Sequence, residues 1–106
     1  GNHVRDFSYI DDVTEYIVRL LKKPSKNKIP FQVFNIGNGK PRRLLDYLKL
    51  IEKNLKIKSK IKNLPLQKGD MKKTHADMKK IKKKIKYNPK IDLEVGIKNF
   101  IDWYKK

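Results

Sequence analysis

Arg5, Gln67 and Asp70 are the side chains whose types and surroundings could hold a polar, anionic ligand. Arg5 opens the stretch RDFSYIDDV, residues 5–13. A guanidinium at a strand start can clamp a phosphate through two parallel hydrogen bonds. From spacing alone, a surface ion pair with Asp6 is the plainer alternative. Gln67 and Asp70 belong to QKGD, residues 67–70, where an amide and a carboxylate can bind hydroxyls or a uracil edge and Lys68 can face a phosphate. Between these stretches lies NIGNGKP, residues 35–41, a glycine-rich turn ahead of a helix. Such a turn can present backbone N–H groups to an anion. It has neither the GxGxxG spacing nor a GKS or GKT ending, so a plain tight turn is the expectation.

Bond-breaking chemistry finds little support. His3 and His75 have no partners at metal-ligand spacing, and no metal site is expected. No Ser-His-Asp set is convincing, and no pair of carboxylates is placed for acid and base work. Asp11 and Asp12 are better read as helix caps, and Phe100, Trp103 and Tyr104 as helical core residues. No catalytic residue is expected in this chain.

The elements that would position these residues follow from periodicity. Arg5–Ile10 alternates as a short strand, and Asp11 or Asp12 can cap the helix that follows. Val13, Tyr16, Ile17, Leu20 and Leu21 give that helix an apolar face. A loop with two prolines, residues 22–30, ends it. Residues 31–37 (FQVFNIG) read as a buried strand, and Pro41 suits the first turn of the next helix. Leu44, Leu48, Ile51 and Leu55 stripe that helix to about Lys56. Residues 57–66 suggest a short strand running into an irregular loop, and Gly69 permits a turn. Asp77 caps a basic helix with Met78, Ile81 and Ile85 inward. Leu93, Ile97, Phe100, Ile101 and Tyr104 make a last amphipathic helix. The expected order is β-α-β-α-β-α-α, an α/β class of mixed short strands and about four helices.

The chain has 106 residues, enough for one domain with a modest core. Its 28 Lys and Arg against 11 Asp and Glu leave a formal charge of +17. A polyanion-binding surface is one reading of that surplus. Arginine, however, occurs only at positions 5, 19, 42 and 43, and Ile and Asn are abundant, as AT-rich codon usage produces. Readers of nucleic acid favour the planar fork of Arg. Nucleic acid is therefore not the expected partner, and the alternatives are a stand-alone basic polyanion-binding module or a remnant with no function of its own. The absence of cysteine fits a reducing cytoplasm. No apolar run reaches the length of a bilayer span, so no membrane partner is expected.

Taken together, the order RDFxYIDDV, VFNIGN, QxGD, AD and a helix ending in FxxWY resembles the C-terminal part of extended short-chain dehydrogenases/reductases. Within that family it resembles NAD-dependent nucleotide-sugar epimerases of the UDP-glucuronate 4-epimerase type, from about Asn2 to Tyr104. QxGD in place of RxGD points to the glucuronate type. The resemblance implies a single C-terminal substrate-binding segment over residues 1–106, the back third of a larger cytoplasmic enzyme that makes polysaccharide precursors. It implies that NAD is bound by an N-terminal Rossmann domain, with a Tyr-x-x-x-Lys pair for hydride chemistry, and that no cofactor is bound by this segment. Carried over by position, Arg5 contacts the diphosphate, Gln67 lies near the second phosphate contact and Asp70 near the uridine ribose. Thr74 stands where some relatives place a substrate-contacting tyrosine. His75 replaces a tyrosine and Lys72 a proline frequent in glucuronate epimerases. Without the Rossmann domain, Val13, Ile17, Leu20 and the 31–36 strand would expose apolar surface or an unpaired edge, and the isolated chain is expected either to self-associate or to repack.

Overall fold

Val13, Tyr16 and Leu20 recur at helical spacing, and a helix over Ile10–Leu21 (α1) forms there in the computed structural model, which describes residues 2–106. Its cap position is Tyr9, with extended backbone and no side-chain cap bond. Asp11 and Asp12 thus stand inside the first turn rather than capping it. Their charge still suits the positive end of the helix.

The expected strand over residues 5–10 is shorter and earlier. Val4–Arg5 (β1) pairs antiparallel with Arg42–Arg43 (β2), with Val4 opposite Arg43 and Arg5 opposite Arg42. On its other side Val4 bridges Lys73 in parallel, with Val4 N–H donating to Lys72 O at 2.9 Å and Thr74 N–H to Val4 O at 3.0 Å. A helix over Leu44–Leu55 (α2) follows β2, so Pro41 precedes the strand instead of opening the helix. Leu48, Ile51 and Leu55 are half-buried on α2, while Leu44 is exposed.

Residues 31–37 and 57–66 carry no strand. Phe31 and Val33 are 72% and 60% exposed, and Ile57, Ile61 and Leu64 also face solvent. An apolar alternating run becomes a strand only beside another strand, and β1 and β2 pair with each other elsewhere. The element order is therefore β-α-β-α-α-α.

The last two helices are Lys79–Ile85 (α3) and Leu93–Tyr104 (α4). Helix α1 packs on α3, and α2 on α4. Tyr16, Met78, Ile81, Ile85 and Tyr87 form the buried cluster of the first pair, backed by Leu20, Phe34 and Ile36. Asp77 Oδ1 accepts the Lys79 N–H at 3.0 Å, so this acid does serve the start of α3 from one residue ahead of the cap position, Met78. Helix α4 buries Ile97 and Ile101. Gly96 on α4 is also buried, because a Cβ there would lie 3.0 Å from the Tyr9 ring. Phe100 and Tyr104, expected in the core with Trp103, face solvent instead. Ile97 and Ile101 are the buried positions of α4, and Phe100 stays half open beside Ile97 at the rim of a cavity that Tyr47 of α2 also lines.

Apolar side chains of α1 are also uncovered. Ile17, Val18 and Leu21 are exposed, whereas Val13 and Leu20 are half-buried. The molecule measures 54 × 36 × 19 Å, with a radius of gyration of 17.0 Å.

Candidate functional site

The central position of β1 brings residues distant in sequence to Arg5. Its neighbour on one side is β2, and on the other the 72–74 segment that follows the QKGD turn. That turn closes with the Asp70 N–H donating to Gln67 O at 3.2 Å, and Gly69 takes φ +88°. A positive φ at the third position is what a type II turn demands, and glycine meets it without strain.

Asp70 thereby reaches Arg5, whose Nη2 donates to Oδ1 at 2.7 Å. Arg5 Nη1 also donates to Val4 O at 3.1 Å. The partner expected from spacing, Asp6, is not the one used. His3 Nε2 lies 3.4 Å from Asp70 Oδ2. Thr74 joins the group through its hydroxyl, which accepts the Asp6 N–H at 3.2 Å. Gln67 sits exposed at the start of the same turn. Arg5, Asp70 and Thr74 are thus gathered along β1, with Gln67 at its rim.

Sequence reasoning missed Asp6. Its Oδ1 accepts the N–H of Asn38 at 3.2 Å and of Gly39 at 3.0 Å, and its Oδ2 accepts the Gly39 and Ala76 N–H groups at 3.0 Å. The glycine-rich turn does bind an anion, and that anion is the chain's own carboxylate. Gly39 adopts φ +73° to aim its N–H there. Gly37 is required by closeness, since a Cβ would lie 2.5 Å from Ala76 Cβ and 2.8 Å from Asp6 Oδ2. An open cleft of about 450 Å³ runs beside this joint, lined in part by Ser8, Asn35, Thr74 and His75.

Asp12 plays a parallel part. Buried, it accepts Tyr87 Oη–H at 2.8 Å and the N–H groups of Lys90 at 2.8 Å and Ile91 at 3.0 Å. Tyr16 Oη in turn donates to Tyr87 O at 3.2 Å. Burial, then the hydrogen bond to Asp12, pushes the Tyr87 phenol up to about 12. Burial and the Asp12 charge raise Tyr16 as well. Nearer β2, the hydrogen bond with Arg42 holds the Glu94 carboxyl below its usual range. No signature in a single sequence distinguishes an acid that joins backbone N–H groups from one that caps a helix.

A guanidinium beside an exposed turn bearing a carboxylate and an amide can bind a diphosphate and hydroxyls. It holds no base poised on a nucleophile. The glycine-rich turn closes on Asp6, so its Asn38 and Gly39 N–H groups are already engaged within the chain.

Known proteins carry the same segment. An uncharacterized protein of Methanocaldococcus jannaschii is 44% identical over 104 residues, which is 98% of this chain and 31% of that protein. UDP-glucuronate 4-epimerase 5 of Arabidopsis thaliana is 36% identical over 114 residues, covering 98% of this chain and 26% of its own. UDP-glucuronic acid 4-epimerase from Bacillus cereus, solved with UDP-glucuronic acid and NAD, superposes with a TM-score of 0.83 at 35% identity. That match covers 99% of this chain and 33% of the Bacillus chain.

The chain is a homologue of the nucleotide-sugar epimerases among the extended short-chain dehydrogenases/reductases. It aligns with their C-terminal part, and its four helices and small sheet are the fold of that part. No protein-family model matches it. The chain spans about a third of the length of the curated relatives it matches. Among the described residues, no helix is long and apolar enough to cross a membrane.

Proposed function

We propose that this chain is the UDP-sugar-holding segment of an NAD-dependent nucleotide-sugar epimerase of the UDP-glucuronate 4-epimerase type, without catalytic power of its own. The observation that carries this reading is the Arg5–Asp70 pair at 2.7 Å, which brings the start of the segment and the QKGD turn together. Arg5 neutralises the diphosphate, Asp70 receives the ribose hydroxyls and Gln67 supplies a second polar contact near the phosphates. Thr74 contributes at the edge, its hydroxyl already engaged by Asp6. NAD supplies the hydride chemistry from a Rossmann domain N-terminal to this segment. That domain is also the proposed cover for Ile17, Val18 and Leu21 of α1 and for the Phe31–Val33 run, all of them exposed. The role that follows is supply of sugar nucleotides for polysaccharide synthesis in the cytoplasm.

Titration of UDP-glucuronic acid into the full-length protein tests the reading. Arg5→Ala is expected to weaken binding by about 1–3 kcal/mol, the cost of a lost charge-assisted hydrogen bond. Affinity equal to wild type would sink the assignment of Arg5.

A further inference from the structure

Asp70 faces two donors, one on each oxygen. Arg5 Nη2 holds Oδ1 at 2.7 Å, and His3 Nε2 stands 3.4 Å from Oδ2. The second contact falls short of a hydrogen bond, and His3 Nε2 is a buried atom with no partner among the described residues. A buried donor left unmade is costly, and one close to an acceptor needs only a small side-chain rotation to be satisfied. The backbone of His3 is anchored, its carbonyl accepting the Leu44 N–H at 2.8 Å where β2 meets α2. The Asp70 side chain, 44% exposed on a turn, has the freer path to rotate. The tautomer with the proton on Nε2 is the one compatible with a carboxylate opposite it, since the other would set a lone pair against an anion.

We propose that His3 takes over Asp70 when a diphosphate claims Arg5, which makes His3 a positioning residue for nucleotide binding. This rests on the reading of Arg5 and Asp70 as UDP-sugar contacts. A diphosphate arriving at Arg5 competes with the carboxylate for the same guanidinium and repels it. Asp70 then swings its Oδ2 onto the waiting His3 N–H. The free protein keeps a spare donor, and binding puts it to use. Asp70 stays compensated and aimed at the ribose while Arg5 is free for phosphate.

Calorimetric titration of UDP into the full-length protein tests this. His3→Leu, which keeps bulk and removes the donor, is expected to bind about tenfold more weakly. His3→Gln, whose amide N–H has similar reach, should restore affinity to within about twofold of wild type. In an Asp70→Ala background, which removes the acceptor, His3→Leu should cost almost nothing further, because the two residues act as a unit. Without nucleotide, His3→Leu should melt no earlier than wild type, since it removes an unsatisfied polar atom.

Wild-type affinity in His3→Leu would overturn the proposal. So would a Gln variant as weak as the Leu variant, a full Leu penalty in the Asp70→Ala background, or a lowered melting temperature in His3→Leu. If folded wild-type protein fails to bind UDP at all, the reading of the site is wrong and the proposal falls with it. If wild type binds and only the His3 results fail, the reading survives and this proposal alone is lost.

Discussion

Around Asp6 and Asp12 each carboxylate is met by donors from distant parts of the same chain, whereas Ile29, Phe31 and Val33 present apolar side chains that the described residues leave largely exposed. Asp6 ties β1 to the glycine turn and to Ala76. Asp12 ties α1 to the approach to α4. The contrast separates two kinds of specification. Polar joints are completed in cis, because each needs only a few N–H groups brought to one point. The apolar run needs a whole neighbouring surface, and this segment does not supply one.

The sharpest way to break the polar side is Asp12→Ala. It strands two backbone N–H groups and the Tyr87 hydroxyl. At about 1–3 kcal/mol for the buried hydroxyl, with the two part-buried N–H groups adding to it, the loss should exceed about 2 kcal/mol in urea unfolding. Stability within error of wild type would show that Asp12 holds nothing together. Gly37→Ala comes next. Its methyl group would collide with Ala76 and with the Asp6 carboxylate, at an expected cost of about 1–3 kcal/mol. A neutral result would mean the joint around Asp6 is loose enough to open. Smallest is Phe31→Lys, which should leave the stability of the 106-residue chain within about 0.5 kcal/mol. Its effect belongs to association. Sedimentation of the isolated chain should show a weaker tendency to self-associate, and an unchanged profile would remove Phe31 from the contacting surface.

The same contrast explains what was legible in the sequence. Helical spacing at Val13, Tyr16 and Leu20, at Ile81 and Ile85, and at Ile97 and Ile101 sufficed to find three helices and their inner faces. Residues 31–37 misled because periodicity reports which residues could form a strand, not whether a partner strand is present. Phe100 and Tyr104 misled for a related reason, since helical spacing marks a stripe wider than the contact that α2 provides. At the candidate site, the resemblance singled out Arg5 and Asp70, and the fold brings them into contact. Their pairing was not visible, since it depends on β1 running between β2 and residues 72–74. Asp6 was passed over because it sits beside an arginine, where an ion pair is the obvious reading.

A chain of this length ordinarily packs to a radius of gyration of about 13 Å; this one, at 17.0 Å, is a plate only 19 Å thick. Two layers of helix fill such a thickness, so few apolar groups lie out of reach of water. Unfolding should then expose little new nonpolar surface and carry a small heat-capacity increment. The segment's stability should vary gently with temperature, with no sharp optimum. Any body that comes to cover the plate would give the whole a markedly more curved temperature profile, detectable by calorimetry without any ligand.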